Sequence, residues 1–207
     1  MNIKDTYNKI AEAWHKDHNT DDWWVSGTNK FLELISPGSI ILDVGCGGGT
    51  KSQYLIDKGM KVVGIDIAEN MVQIAKREVP KGEFMAMDLL DVDKISHDFD
   101  GIFMQAVLLH IPKKDVMEIL QKMVNKLKSK GLLYVSVKEK RPGGVDEEKK
   151  IDDDYGYEYE RFFSYFTIDE LNQDLESLGL EVIFTENNPP SRTARASNWI
   201  SIIGQKK

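Results

Sequence analysis

Residues 40–49 read IILDVGCGGG. Three apolar residues lead to an aspartate and a valine, and the next five positions hold four glycines. A glycine inside a helix or strand costs roughly 0.5–1 kcal/mol relative to alanine, because the unfolded chain loses more freedom there. The cluster therefore predicts a tight loop after a buried strand, with a backbone that another group must approach closely.

This stretch belongs to a longer alternation of strand-like and helix-like patterns, which implies βαβ units and a parallel sheet with helices on both faces. We expect an α/β fold with a doubly wound, mostly parallel seven-stranded sheet. The strand-like runs of this part are 39–44, 61–66, 83–87, 99–104 and 131–137, and the helix-like runs between them are 50–58, 69–79 and 113–128.

The two ends of the chain follow other patterns. Apolar residues at helical spacing predict an amphipathic helix over 2–18 and a second helix over 23–35. Near the C-terminus, Thr167 and Glu170 form a capping-box pattern at the start of a helix over 167–178. The strands expected at 180–185 and 198–204 are joined by a segment too short for a crossover helix, so this final pair should be antiparallel.

Composition excludes several classes of protein. The chain is 41% hydrophobic and 29% charged, which suits a globular domain, and it has no run of the ~20 apolar residues that span a membrane. Net charge is −7, which disfavours nucleic acid as a partner because the chain as a whole repels a phosphate backbone, although 113–130 is locally basic. The single Cys46 excludes an internal disulfide and a cysteine-based metal site. The polar N-terminal stretch does not resemble a signal peptide, so we expect a cytoplasmic protein.

The stretch LDVGCGGG (42–49) resembles motif I of the class I S-adenosylmethionine-dependent methyltransferases, an acidic residue followed by G-x-G-x-G. Asp66 closes the second strand, where this family has an acid for the ribose hydroxyls, and Asp88 stands where it has an acid near the adenine amino group. Residues 99–112 resemble the fourth-strand motif beside the methionine part of the cofactor. The resemblance implies a Rossmann-like methyltransferase fold.

The resemblance also implies the cofactor, S-adenosyl-L-methionine with S-adenosyl-L-homocysteine as product, and no metal. Because the cofactor carries an activated methyl group, the protein must mainly position a nucleophile and exclude water. We expect one domain over 1–207, divided into a helical lid (1–36), a cofactor-binding core (37–138), a substrate-side insert (139–166) and a C-terminal part (167–207). The expected cofactor-binding residues are Asp43, Gly45, Cys46, Gly47, Gly49, Asp66, Ile67, Met71, Asp88, Leu89, Met104 and Gln105.

The acceptor site is less sharply indicated. The aromatic segment 141–166 is expected to be loop-like and mobile without ligand, and to fold over the site. Its aromatic residues suit a flat, apolar or cationic acceptor, whereas arginines suit a carboxylate or phosphate; packing of the lid explains part of the same pattern. The expected substrate-binding residues are Trp14, Tyr157, Arg161, Tyr165 and Arg192.

His110 has two interpretations. It could serve as a general base, since a histidine titrates near neutral pH. It could equally be a packed histidine just before Pro112, and we favour this structural role. Sequence alone leaves the catalytic residues unknown.

The function that we expect is methyl transfer to an O, N, S or C atom of a small-molecule acceptor by a monomer or homodimer. One alternative is a methyltransferase of the tRNA wobble-uridine type, whose C-terminal part the tail loosely resembles. Another is a protein that binds S-adenosylmethionine without catalysis. A NAD-dependent oxidoreductase is disfavoured, because the glycine spacing is not G-x-G-x-x-G and Asp43 would repel a pyrophosphate.

Overall fold

The structure is a computed structural model that describes residues 3–188 and 198–207. Its α-helices are α1 (Ile3–His18), α2 (Val25–Glu33), α3 (Thr50–Asp57), α4 (Glu69–Glu78), α5 (Lys113–Asn125) and α6 (Ile168–Ser177). Its strands are β1 (Ile40–Val44), β2 (Lys61–Asp66), β3 (Glu83–Ala86), β4 (Phe99–Gln105), β5 (Leu127–Lys138), β6 (Glu147–Asp152), β7 (Tyr159–Ser164), β8 (Leu180–Asn188) and β9 (Trp199–Lys206). Short 3₁₀ helices span Leu89–Lys94 and Leu108–His110.

Seven strands form the main sheet in the order β3-β2-β1-β4-β5-β9-β8. Strands β1 to β5 are parallel, and β9 runs antiparallel to both β5 and β8. This arrangement confirms the predicted doubly wound sheet and its antiparallel C-terminal pair. Strand order reverses between β1 and β4, and such a switch point is where open α/β sheets bind ligands.

Apolar cores cover both faces of the sheet. In β1, Ile41 packs into a core with Phe31 of α2, whereas the next residue, Leu42, packs into a core with Leu120 of α5. Successive side chains of a strand point to opposite faces, so a strand buried on both sides must be apolar at nearly every position. This requirement explains the continuous apolar runs in the sequence.

The C-terminal helix begins as predicted. The Thr167 hydroxyl accepts a hydrogen bond from the Glu170 N–H at 3.2 Å, and the Glu170 carboxylate accepts one from the Thr167 N–H at 3.4 Å. This reciprocal capping box confirms α6 and fixes where the chain turns back towards the sheet.

The prediction that 141–166 is loop-like was wrong. Strands β6 and β7 form a separate antiparallel hairpin, paired from Glu147 opposite Ser164 to Asp152 opposite Tyr159. The sequence hides this hairpin because β6 is mostly charged, and cross-strand ion pairs such as Lys149–Glu160 replace an apolar face. Its mobility without ligand stays a prediction.

Two boundaries also differ from the predictions. Helix α5 ends at Asn125, and β5 begins at Leu127 rather than at 131. Leu127 pairs with Phe99 before a register shift, so a bulge lengthens the strand beyond its apolar run. Within the described residues, no helix is long and apolar enough to cross a membrane.

Candidate functional site

A cavity of about 780 Å³ lies at the carboxyl ends of the parallel strands. Neighbouring strands supply its floor in order: Asp88 follows β3, Asp66 ends β2, the glycine loop follows β1, and Gln105 and Lys138 end β4 and β5. Helix α1 and strand β7, which contact each other through Thr6 and Glu160, supply walls of the cavity. The topology therefore brings together polar strand-end residues that the sequence separates by up to half the chain.

The glycine loop has a backbone that other residues cannot adopt without strain. Gly45, Gly47 and Gly49 have φ angles of 66°, 53° and 85°. A Cβ on Gly45 would lie 2.3 Å from Cγ2 of Val107, whereas one on Gly47 would meet nothing within 4 Å. The loop thus needs glycine for its left-handed conformation, and at Gly45 also for close packing against the segment that follows β4.

Asp66 organises this loop from the end of β2. Its Oδ2 accepts a hydrogen bond from Gly47 N–H and its Oδ1 one from Ala68 N–H, both at 2.9 Å. Burial raises the pKa of Asp66, and these backbone donors oppose the shift. A carboxylate has about four acceptor positions. Asp66 therefore retains capacity for donors of a bound ligand.

Asp88 holds the next part of the floor. Its Oδ1 accepts a hydrogen bond from Leu90 N–H at 2.9 Å, so it caps the 3₁₀ helix Leu89–Lys94 while lining the cavity. Lys122 of α5 forms an ion pair with Asp93 at 2.6 Å, which fixes this short helix against α5. The position of Asp88 is thus set by local capping and by a tertiary contact.

Three expected cofactor residues lie behind the cavity and do not line it. Asp43 is 1% exposed and accepts a hydrogen bond from the Ser52 hydroxyl at 2.5 Å; burial raises its pKa to about 6. Gly49 lies against Val79, and Met104 is fully buried in the core. These three positions support the loop and the sheet from beneath.

The other sequence-predicted residues divide in the same way. Tyr157 donates to the Lys9 carbonyl at 3.2 Å and Tyr165 donates to Glu148 at 2.6 Å, so both fasten the hairpin outside the cavity lining. Arg192 lies outside the described residues. The predicted residues that do line the cavity are Trp14, Gly45, Cys46, Gly47, Asp66, Ile67, Met71, Asp88, Leu89, Gln105, His110 and Arg161.

His110 is held on both sides of its ring. Its Nδ1 lies 2.8 Å from the Phe162 carbonyl oxygen, which can only accept, so Nδ1 carries the proton. Its Nε2 lies 3.1 Å from the Tyr7 hydroxyl and accepts from it. Burial lowers the pKa of His110 to about 4, and the nearby positive charge of Arg161 contributes. At neutral pH, His110 is uncharged and positions Tyr7 and β7. Its Nε2 lone pair, which a general base would use, already accepts the hydrogen bond from Tyr7.

Gln105 carries an unfilled hydrogen-bonding position. Its Oε1 accepts from the Tyr134 hydroxyl at 3.0 Å, and this hydroxyl also lies 3.1 Å from Ser201 Oγ. The carboxamide is therefore fixed in orientation. Its buried Nε2 has no hydrogen-bond partner in the part of the chain that the structure describes. A buried donor without a partner is costly, and a bound ligand can supply the acceptor.

Several cavity residues were not expected from the sequence. His15 and His18 of α1 line the cavity; His15 lies against Gly48, and His18 stacks on Trp14 with ring centroids 3.8 Å apart. Their helical spacing from Tyr7 was the available signal. Other lining residues of this kind are Lys51, Lys138 and Trp199.

The sequence and the fold of this chain are similar to those of known proteins. Residues 41–131 match the family described as Methyltransferase domain. Residues 41–131 therefore carry a methyltransferase domain of the class I S-adenosylmethionine-dependent type. This result confirms the resemblance seen in the glycine loop and in the strand-end acids.

The methyltransferase domain is similar to several curated proteins. It is 30% identical over 133 residues to the Ubiquinone biosynthesis O-methyltransferase of Coxiella burnetii, a match that covers 56% of each chain. It is also 30% identical over 183 residues to Phosphoethanolamine N-methyltransferase 1 of Zea mays, over 85% of this chain and 34% of that protein. The chain spans about half the length of the first of these relatives.

Solved structures agree on the fold. The 1,6-didemethyltoxoflavin-N1-methyltransferase of Burkholderia thailandensis, crystallised with S-adenosylhomocysteine, has a TM-score of 0.76 at 16% identity, over 99% of this chain and 87% of that one. A methyltransferase from Methanosarcina mazei has a TM-score of 0.72 at 22% identity, over 86% and 96%. At these identities the likeness shows the Rossmann-like methyltransferase fold.

The cofactor of this family is S-adenosylmethionine, and the cavity of the methyltransferase domain fits it. The glycine loop leaves room for close approach to its backbone, since a Cβ on Gly47 would find open space. Asp66 retains acceptor capacity for hydroxyl groups, and Gln105 has a donor without a partner. The polar groups of the floor therefore match a ligand that carries hydroxyls and a carboxylate.

Proposed function

We propose that this protein is an S-adenosylmethionine-dependent methyltransferase that transfers a methyl group to a nucleophilic O, N, S or C atom of a small molecule. The observation that carries the proposal is one cavity that joins the glycine loop, Asp66 and Asp88 to a second, aromatic part under α1 and β7. Ligand pockets usually have volumes of ~300–1,000 Å³. At about 780 Å³, this cavity has room for a cofactor and a small acceptor together.

The residues of the chain have distinct tasks in this proposal. Asp66 would bind the ribose hydroxyls, Asp88 the adenine amino group, and Gln105 with the glycine loop the methionine part. When bound, the cofactor supplies a methyl group on a sulfonium, which is already activated for displacement. The protein then contributes position and dryness rather than a nucleophile of its own.

The walls provide this exclusion of water. Thr6 of α1 is fully buried and donates to the Glu160 carbonyl of β7 at 2.9 Å. On its other side, α1 contacts α4 through Asn8, whose Oδ1 accepts from Asn70 N–H at 2.9 Å. Helix α1 therefore bridges α4 and the hairpin across the top of the cavity. Tyr7 and Trp14 line the cavity from this helix.

Calorimetric titration with S-adenosylhomocysteine tests the proposal. We expect a micromolar dissociation constant for the wild type and a loss of at least about a hundredfold in Asp66→Ala, since two hydrogen bonds to a charged acceptor are removed. Asp66→Asn keeps an oxygen for the Gly47 N–H and separates loop support from ligand binding. Asp91→Asn is the matched control, because Asp91 lies outside the cavity and pairs with Lys94.

Two outcomes would overturn the proposal. The first is absence of S-adenosylhomocysteine binding by the wild type. The second is an unchanged affinity in Asp66→Ala. If binding is confirmed but no acceptor is methylated, the alternative of a non-catalytic binding protein gains support. Binding of tRNA at low salt, followed by methylation of that tRNA, would support the wobble-uridine alternative instead.

A further inference from the structure

Lys138 is the last residue of β5, and it lines the cavity without a carboxylate partner. Its backbone is fixed from both sides, because Lys138 pairs with Trp199 of β9 and its carbonyl accepts a hydrogen bond from Phe166 N–H at 3.1 Å. Its Nζ lies 4.2 Å from the centroid of the Phe163 ring. Among the carboxylates of residues 3–188 and 198–207, none lies within 4.0 Å of this nitrogen.

The neighbouring cations of the hairpin are paired. Arg161, also in the cavity lining, lies 2.7 Å from Asp152, and Lys150 lies 3.1 Å from Glu148. Both pairs are formed within the hairpin. Lys138 differs from these two cations, because no carboxylate among the described residues pairs with its ammonium group at short range.

The environment of Lys138 disfavours its charge. Burial, followed by the positive charges of Lys150 and Arg161, lowers the pKa of Lys138 to about 8, against the smaller opposing effects of the Asp152 and Glu148 carboxylates. A cation that is partly removed from water needs a partner of opposite charge. A bound anion would supply that partner, whereas a neutral or cationic ligand would leave the ammonium group uncompensated.

Charge is distributed unevenly along the cavity. Asp88 and Lys138 stand four strands apart in the sheet order, which corresponds to roughly 19 Å at about 4.8 Å per strand. Asp21 lies neither at the end of a strand nor on α5, and it is near Lys51. The carboxylates that line the cavity are Asp21, Asp66, Asp88, Asp115 and Glu118. Lys138 and Arg161 are the lining cations on the β5 and β7 side of the cavity.

The walls beside Lys138 are aromatic. Trp199 lies directly opposite Lys138 in the β5–β9 register and stacks on Trp23 with ring centroids 4.2 Å apart. Phe163 lies beneath the ammonium group. An acceptor at this end meets the unpaired ammonium of Lys138 bordered by flat apolar surfaces, a combination that suits a planar molecule with a negative group.

We propose that the acceptor carries a carboxylate or phosphate group, that this group binds the ammonium of Lys138, and that the rest of the acceptor lies along Trp199 and Phe163. This inference rests on the proposed function, because it assigns the acceptor to the end of the cavity opposite Asp88. Lys138 is then a specificity-determining residue that the sequence patterns did not single out.

Calorimetry with three simple probes tests the inference. Protein saturated with S-adenosylhomocysteine is titrated with benzoate, with phenyl phosphate and with the neutral analogue benzamide. We expect at least one of the anions to bind and benzamide to bind at least about tenfold more weakly. Lys138→Met should weaken anion binding by at least about tenfold, the scale of one charge-assisted hydrogen bond, and should leave S-adenosylhomocysteine affinity unchanged.

Lys149→Met is the matched control, because it removes the same charge from an exposed lysine that pairs with Glu160. It should bind the anions as the wild type does. The inference is overturned if no anion binds, if benzamide binds as tightly as benzoate, or if Lys138→Met and Lys149→Met behave alike. Failure of S-adenosylhomocysteine to bind would instead overturn the proposed function, and the anion titrations without it would still test Lys138.

Discussion

The two ends of the cavity are built in different ways. The end to which we assign the cofactor (the cofactor end) consists of the glycine loop, Asp66 and Asp88, and its decisive hydrogen bond joins Gly47 to Asp66, 19 positions apart. The end to which we assign the acceptor (the acceptor end) consists of Tyr7, Trp14, Lys138, Arg161 and Trp199. It depends on contacts such as Tyr7–His110 and Thr6–Glu160, whose partners are 103 and 154 positions apart. A short motif can therefore specify the first end, whereas the second exists only after the whole chain has folded.

Gly45→Ala should give the largest effect, and it tests how strictly the cofactor end is specified. A non-glycine residue at φ 66° costs ~1–2 kcal/mol. The clash of its Cβ with Val107, a side chain with little rotamer freedom, adds ~1–3 kcal/mol. Urea unfolding should thus show a loss of roughly 2–5 kcal/mol.

Gly143→Ala provides the control for this experiment. Gly143 has a φ of 70°, but a Cβ there would meet nothing within 4 Å. It should show the conformational cost alone. Equal losses in both variants would contradict the claim that close packing against Val107 matters at Gly45.

His110 gives the next effect, at the acceptor end, and it depends on pH. The pKa of His110 is lowered from its ordinary value near 6.5 to about 4, so between these values the unfolded chain binds a proton that the folded protein does not. The contribution of neutral His110 to the free energy of unfolding should therefore be complete above pH 6.5 and should decrease as pH falls. Between pH 7 and pH 5 this contribution amounts to about 2 kcal/mol.

The measurement compares free energies of unfolding at pH 7 and pH 5. His110→Gln should lose this part of the pH dependence, and His97→Gln, a substitution at an exposed histidine, should retain it. If His110→Gln shows the same slope as the wild type, the histidine is not held neutral by burial and by its bonds to Tyr7 and Phe162.

Thr6→Val should give the smallest effect. It tests the hydrogen bond that links α1 to the hairpin. It removes the hydrogen bond to the Glu160 carbonyl while keeping the shape of the side chain, so we expect a loss of about 1 kcal/mol. Amide hydrogen exchange should accelerate in α1 and leave the β1–β5 core unchanged.

Thr28→Val makes the same chemical change within one helix, since the Thr28 hydroxyl donates to the Trp24 carbonyl of its own turn at 2.9 Å. It should not accelerate exchange in α1. Faster α1 exchange in both variants would mean that the Thr6 bond has no special role in closing the cavity.

The parts that the sequence predicted correctly share a physical basis. The apolar run predicts strand β1, the glycine cluster predicts the loop after it, whose glycines adopt positive φ, and the capping box predicts α6. Each signal resides in neighbouring residues. The hairpin of β6 and β7 escaped prediction because β6 is mostly charged and has no buried residue, so only β7, through Tyr159 and Phe163, contributes to the core.

By itself, the sequence determined the alternation of strands and helices, the antiparallel end of the sheet, the family and the strand-end acids of the cofactor end. These features follow from local periodicity and from the rule that parallel strands end at one edge. Only the tertiary structure decided that Asp43 lies beneath the site and that the Tyr7 hydroxyl donates a hydrogen bond to Nε2 of His110. It also decided that Lys138 lies beside Trp199 without a carboxylate partner among the described residues. Burial and pairing depend on residues far apart in the chain, and no local pattern encodes which of them will meet.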